Sequence, residues 1–220
     1  MLTGSILLTG GTGTLGRALL ARAACEGWIA RFTVYSRDPV KQQRLRREFP
    51  DCRFIVGSVE DREGLICAAV GHDVIIHLAA QKHIPEAERF PHQTYLVNVK
   101  GSQNVLLAAV AAHARQVIAI STDKACHPVN AYGCTKLMME REYQAFAQTF
   151  PEIQVNLCRY GNVIGSTGSV IPLWQEHARR NLPLPITSPD MTRFWLTGGQ
   201  AVDIVLAAAR QPSGTVYVPT

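Results

Sequence analysis

Thr9–Gly16, TGGTGTLG, follows a short apolar run, Ser5–Leu8 (SILL), and leads into a helix-forming stretch, Arg17–Glu26, closed by Gly27. Placed between a strand and a helix, such a glycine pattern predicts a tight turn that lets backbone approach a pyrophosphate, with the helix N-terminus favouring negative charge. Gly10, Gly13 and Gly16 are the core of this cofactor loop, and Thr9, Gly11, Thr12, Thr14 and Leu15 complete it. The alternative is an ordinary glycine-rich turn.

Outward from this loop the same alternation repeats. Arg31–Tyr35, Arg53–Val56, Asp73–Leu78, Gln116–Ile120, Gln154–Tyr160 and Thr215–Val218 read as strands. Helices are expected over Arg62–Val70, His92–His113, from near Ala131 to Phe150, up to Arg180, and over Gly199–Arg210. Strands alternating with helices predict right-handed crossovers and a parallel α/β sheet. One domain over residues 1–220 is expected, with substrate-binding elements mainly in 161–197. Asn98 interrupts an apolar helix face, where an amide more often repairs a backbone kink or holds a water than touches substrate.

Composition narrows the class. The 220 residues are 47% hydrophobic and 18% charged, which fits a soluble globular enzyme and not a disordered chain. Apolar runs such as Val105–Ala112 are too short to span a bilayer, and the N-terminus lacks a signal-peptide cleavage pattern, so a cytoplasmic protein off the membrane is expected. Cys25, Cys52, Cys67, Cys126, Cys134 and Cys158 form no CxxC pair and are expected as free, buried packing thiols. The histidines show no HExxH spacing, so no metal site is expected. The net charge of +5 gathers at Arg37, Lys41, Arg44, Arg46 and Arg47 without interleaved aromatics, which argues against nucleic-acid binding and leaves a solvated helix face as the plain reading.

The chemistry concentrates in Ser121–Lys136, STDKACHPVNAYGCTK, between a strand and a helix. Ligands of open α/β sheets bind at strand carboxyl ends. Asn130 suits an N-cap, and Tyr132 and Lys136 then share one helical face. A fixed ammonium beside a phenol favours the phenolate, so Tyr132 is expected to take a proton from an alcohol. At the end of the second strand Ser36, Arg37 and Lys41 offer donors and positive charge where an acidic residue would select a ribose diol, and this predicts NADP. Beyond the sixth strand, GNVIGSTGSVIPLW (Gly161–Trp174) and PLPITSPDMTRFW (Pro183–Trp195) offer an arginine and aromatics that suit a nucleotide base and diphosphate.

Read together, TGGTGTLG, YSRDPVKQ, AAQKHIP, STDKACHPVNAYGCTK, RYGNVIGSTGSVIP and PITSPDMTRFW make the chain resemble an extended short-chain dehydrogenase/reductase, and more narrowly the soluble UDP-N-acetylglucosamine 4,6-dehydratases (inverting) of the polysaccharide-biosynthesis group. The resemblance runs from about Ile6 to Val218. It implies a Rossmann-like doubly wound sheet, NADP as cofactor, a UDP-sugar substrate and a homo-oligomer. Tyrosine at 132, where membrane-anchored relatives usually carry methionine, implies inversion at carbon 5 of the sugar.

The implied roles follow residue by residue. Thr122 would hydrogen-bond the carbon-4 oxygen, Tyr132 would take the hydroxyl proton, and Lys136 would hold the nicotinamide ribose. Lys124 would remove the carbon-5 proton and Asp123 would protonate the hydroxyl leaving carbon 6. Ser58, Val59, Ala79, Ala80 and Lys82 complete the cofactor pocket, and Lys82, Asn162, Thr187, Met191 and Arg193 the substrate pocket. Without the resemblance, Asp123 and Lys124 read as a surface ion pair beside a turn. Gly57-Ser58-Val59 stands where relatives carry an aspartate, and Gln81 replaces an apolar residue. Relatives also continue past the equivalent of Pro219, so a shortened substrate-binding portion, or closure by a neighbouring subunit, is expected.

Overall fold

The computed structural model describes residues 2–166 and 168–219. Strands and helices alternate in the order β1 (Ile6–Thr9), α1 (Thr14–Cys25), β2 (Phe32–Ser36), α2 (Pro39–Glu48), β3 (Arg53–Val56), α3 (Arg62–Ala69), β4 (Val74–His77), α4 (Ile84–Arg89), α5 (Pro91–Tyr95), α6 (Gly101–Ala111), β5 (Gln116–Ile120), α7 (Ala131–Thr149), β6 (Gln154–Cys158), β7 (Asn162–Val163), α8 (Val170–Arg179), β8 (Trp195–Leu196), α9 (Gly198–Ala208) and β9 (Thr215–Tyr217). Seven strands form one parallel sheet in the order β3-β2-β1-β4-β5-β6-β9, and β7 pairs with β8 separately. The sheet's order reverses between β1 and β4, so a crevice opens there at the strand carboxyl ends.

The two-residue period of the strands makes the two faces. Ile6, Leu8, Phe32, Val34, Val74, Ile76 and Ile118 pack on α1, α2 and α9, while Leu7, Tyr35, Ile75, Val117 and Ala119 pack on α3, α6 and α7. Caps set the helix starts. Asp38, Asp61 and Asn130 accept from backbone N–H groups of Lys41, Gly64 and Gly133, and Thr197 with Gln200 closes a capping box on α9.

Three expectations change. Helix α1 begins at Thr14, so Thr14, Leu15 and Gly16 lie in its first turn and not in the loop. The helix expected over His92–His113 is broken into α5, a π-helical segment at Leu96–Lys100, and α6. At its centre Asn98 bonds the backbone of Gln81, so the amide secures a backbone irregularity, as the sequence suggested. The cysteines are free, but only Cys52 and Cys158 are buried; Cys25, Cys67, Cys126 and Cys134 are exposed because they lie on outward helix faces or in a turn. Among the described residues no helix is long and apolar enough to cross a membrane, and no cluster of metal-ligating side chains occurs.

Candidate active site

The glycine loop sits where β1 meets β4. Gly10 has φ +68°, and a Cβ there would lie 2.6 Å from Ala79 N, so only glycine lets the loop press against the end of β4. A Cβ on Gly13, the N-cap of α1, would meet only Gly10 O, at 3.3 Å, which leaves an open cradle over the helix N-terminus. These two observations fit a dinucleotide pyrophosphate. Thr9 Oγ1 bonds His77 Nδ1 at 2.8 Å and accepts from Ala79 N at 3.4 Å, and Gly11 packs against Leu8 and Val34. Thr12 is half-buried on the loop, and Ala80 is half-buried after the end of β4.

The sheet edge after β2, where the sequence places the cofactor's adenosine end, is less positive than the sequence suggests. Ser36 Oγ accepts from Gln42 Nε2 at 3.0 Å, Lys41 lies 3.4 Å from Asp38, and Arg37 lies 3.6 Å from Glu60. Arg37 and Lys41 thus carry their own counter-charges, because the turn after β2 and the loop after β3 bring carboxylates to the same edge. Glu60 also accepts from Ser58 Oγ at 3.1 Å and from Gln93 at 2.7 Å. The carbonyl of buried Val59 accepts from Asn104 at 2.9 Å.

At the end of β5 the chain turns through Asp123–Ala125 and enters α7. Asp123 Oδ1 accepts from Thr122 Oγ1 at 2.8 Å and from Lys124 Nζ at 3.0 Å, and Lys124 Nζ also donates to Asn162 Oδ1 at 3.2 Å. One carboxylate oxygen therefore joins a hydroxyl and an ammonium. Ile84, Asp123, Lys124, Asn130, Thr192, Arg193 and Phe194 line a pocket of about 380 Å³ beside them. The structure thus brings Asn162 and Arg193 to the Asp123–Lys124 pair. Arg193 itself donates to Thr192 O and to Met191 Sδ, while Thr187 is exposed and is not among the residues lining this pocket. Lys82, exposed as a residue, has its ammonium held below the ordinary lysine value by partial desolvation.

Tyr132 and Lys136 lie on one face of α7, but they do not act on each other as the spacing suggests. Lys136 Nζ donates to Met139 Sδ at 3.1 Å. Burial, with the nearby Asp123 charge adding, pushes the Tyr132 phenol up to about 12, opposed by the Thr122 hydroxyl within hydrogen-bonding reach. The expected lowering of the phenol is therefore absent, since a partly buried phenol loses hydration and the lysine's flexible stem turns the other way. Burial pulls Lys136 down to about 8, with Glu140 opposing.

Several residues that build the site escape sequence reasoning. A Cβ on Gly133 would lie 2.3 Å from Lys124 O, so this glycine lets the Asp123–Ala125 turn rest on α7. Its only sequence signal is a glycine inside a helix. Glu140, buried on α7, binds Arg159 and Ser121. His77 links Thr9 to Ser102, whose hydroxyl donates to Asn98 O at 2.6 Å. Such long-range polar chains have no local signature.

Residues 6–220 match the family described as Polysaccharide biosynthesis protein. The chain is 38% identical over 222 residues to a UDP-N-acetylglucosamine 4,6-dehydratase (inverting) of Campylobacter jejuni, covering 98% of this chain and 66% of the relative. It is also 38% identical over 211 residues to a UDP-glucose 4-epimerase of Rickettsia felis, covering 93% of this chain and 62% of the relative. The solved structure of Pen from Bacillus thuringiensis superposes with a TM-score of 0.92 at 31% identity, covering 99% of this chain and 68% of that one. The chain spans about two thirds of the length of the curated relatives it matches. With the glycine cradle, the parallel sheet and the β5–α7 site all inside the matched span, the chain belongs to the polysaccharide biosynthesis protein family.

Proposed function

We propose that this chain carries the catalytic machinery of a nicotinamide-dependent sugar-nucleotide dehydratase acting on a UDP-N-acetylhexosamine, with NADP as the preferred cofactor and inversion at carbon 5. The observation that carries the reading is the shared Asp123 oxygen, which joins Thr122 and Lys124 at the mouth of a pocket that also holds Arg193. A sugar oxidised at carbon 4 has an acidic hydrogen at carbon 5, and losing water from carbon 6 then needs one base and one acid side by side. Lys124 and Asp123 are 3.0 Å apart. A single proton moving from the ammonium to the carboxylate produces both active forms at once. For free groups that shift costs about 9 kcal/mol, from pKa values near 10.4 and 3.9. A bound sugar nucleotide that displaces water from the pair reduces the cost, because desolvation disfavours both charged forms.

The remaining roles follow from placement. The loop Thr9–Gly13 and the start of α1 hold the dinucleotide, which when bound accepts a hydride from the sugar and returns it. Tyr132 removes the carbon-4 hydroxyl proton with Thr122 fixing that oxygen, and Lys136 holds the ribose. Asn162 orients Lys124. Arg193 and Lys82 supply positive charge for the diphosphate.

The Rickettsia relatives favour a second reading, 4-epimerisation, which uses Thr122, Tyr132 and Lys136 and needs neither Asp123 nor Lys124. Proton NMR with UDP-N-acetylglucosamine and NADP+ in heavy water separates the two. Dehydration gives a new upfield methyl signal with deuterium at carbon 5, and the ring couplings report inversion. Epimerisation gives a changed carbon-4 coupling and no methyl. An unchanged spectrum from folded protein that binds the dinucleotide rejects both.

A further inference from the structure

Behind Lys136 on α7 lies a buried ionic cluster of Glu140, Arg159 and Ser121, to which the chemistry above gives no role. Lys136 is 3% exposed and precedes Glu140, 1% exposed, by one helical turn. Lysine and glutamate at that spacing ordinarily meet. Here they do not. Glu140 Oε1 accepts from Arg159 Nε at 2.7 Å and from Ser121 Oγ, and Oε2 accepts from Arg159 Nη2 at 2.5 Å. Lys136 is left with Met139 Sδ, a weak acceptor. A planar guanidinium can hold both oxygens of one carboxylate at once, and an ammonium cannot.

We propose that Arg159 is a positioning residue: by occupying both oxygens of Glu140 it prevents that carboxylate from capturing Lys136 and leaves the ammonium free to hold the dinucleotide. The inference rests on the reading of Lys136 as the cofactor lysine. Without Arg159, Glu140 keeps one cation within reach, and the lysine's flexible stem can swing to it. The same clamp, through Ser121, fixes the residue that precedes Thr122.

The other groups facing Lys136 leave a clear window. Cys158 on β6 is pushed up to about 12, His77 on β4 down to about 3, and Tyr132 on α7 up to about 12, all chiefly by burial. None of them changes charge in the neutral and mildly alkaline range where Lys136 titrates. Cys126 faces Arg159.

The test is NMR titration of the full chain labelled with ε-13C lysine. Lys41, Lys82, Lys100, Lys124 and Lys136 are its lysines, and loss of a signal in Lys136→Arg assigns the one of interest. Arg159→Met is expected to raise the Lys136 midpoint by about one pH unit, because an opposite charge then faces it unshared. Combining Arg159→Met with Glu140→Gln is expected to move the midpoint below that of the parent protein. Arg159→Lys, which keeps a cation in place, is expected to give a smaller rise and weaker NADP(H) binding. A midpoint that stays or falls in Arg159→Met overturns the proposal; if that variant does not fold, an unmoved midpoint in Arg159→Lys does so. A purely structural role for Arg159 would weaken binding without moving the midpoint. The titration needs no turnover, so failure of the dehydratase reading appears separately, as a missing methyl signal with the midpoint shifts intact.

Discussion

Asn98 holds both backbone groups of Gln81: its Oδ1 accepts from Gln81 N at 2.8 Å and its Nδ2 donates to Gln81 O at 2.8 Å. The same amide reaches Thr135 Oγ1 at 3.1 Å, and Thr135 in turn donates to Tyr132 O. One side chain on the π-helical segment therefore sets the loop after β4 against the first turns of α7. Asn98→Ala leaves two partly buried backbone groups without partners, at about 2–4 kcal/mol together. Urea unfolding is expected to show that loss, together with weaker dinucleotide binding. A change below about 0.5 kcal/mol would place the role of Asn98 elsewhere.

Gly133 tests whether the Asp123–Ala125 turn depends on its contact with α7. By helix propensity alone, Gly133→Ala gains about 1 kcal/mol. Against that stands a Cβ 2.3 Å from Lys124 O, a backbone atom that cannot move without carrying Asp123 and Lys124 with it. Steric strain of this kind costs about 1–3 kcal/mol, so the strain outweighs the gain. Turnover is expected to fall by more than about tenfold while dinucleotide affinity stays near the parent value. Parent-like turnover in Gly133→Ala would show that the turn tolerates displacement.

The His77 imidazole is buried between Thr9 and Ser102, and burial, with the Lys136 charge adding, pushes it down to about 3. Unfolding returns it to an ordinary value near 6.5. The unfolded chain then binds the extra proton below that value, so stability is full above about pH 6.5 and is lost as pH falls toward 3, by several kcal/mol. Urea midpoints measured from pH 7 to pH 4 should drop in the parent protein. They should drop less in His77→Gln, which is neutral throughout and starts from a lower midpoint at pH 7. Parallel pH profiles would assign acid sensitivity to other groups.

The fold was readable because its signals are local. Ser5–Leu8, the glycine loop and the next helix announce the first crossover, and each apolar run repeats the pattern with boundaries displaced by a residue or two. Asn130 marked the start of α7 for the same reason: a cap acts on N–H groups three residues away. What the sequence hid depends on contacts made at long range. Glu60 meets Arg37 only because β2 and β3 pair, so the charge balance of that pocket has no signature in YSRD. Glu140 and Arg159 are far apart in the chain, and a glutamate one turn after Lys136 suggests the wrong partner. The Tyr132–Lys136 expectation failed for a related reason, since spacing gives a shared face but not the direction in which a four-carbon stem folds.

In the proposed reading, the Arg37–Glu60 contact tunes cofactor selectivity. At 3.6 Å between an exposed guanidinium and a half-buried carboxylate, the pair itself contributes little to stability. Its effect lies in competition, because a guanidinium held by Glu60 is less available to a 2′-phosphate. Fluorescence titrations are expected to show Glu60→Gln raising the NADP/NAD affinity ratio about two- to fivefold, the range of one exposed ion pair. Arg37→Ala is expected to lower the ratio by about tenfold or more through loss of a charge-assisted contact. A ratio unchanged in Arg37→Ala would move the selectivity determinant away from this turn.

In the proposed reading, Lys124 separates oxidation from elimination. Its ammonium contacts Asp123 and Asn162, while Tyr132 lies within hydrogen-bonding reach of Thr122. Lys124→Met keeps the length of the side chain and removes the base. If Lys124 takes the carbon-5 proton, this variant should still oxidise carbon 4 once per site, giving stoichiometric reduced-cofactor absorbance, no methyl signal and no deuterium at carbon 5. Asp123→Asn should differ, because the base remains: deuterium should enter at carbon 5 while loss of water falls by about 10²-fold or more, the usual scale of one general acid. Deuterium uptake at the parent rate in Lys124→Met would assign the base to another residue. Absence of the oxidation burst would instead place Lys124 in the first step, where its bond to Asp123 holds the hydroxyl of Thr122.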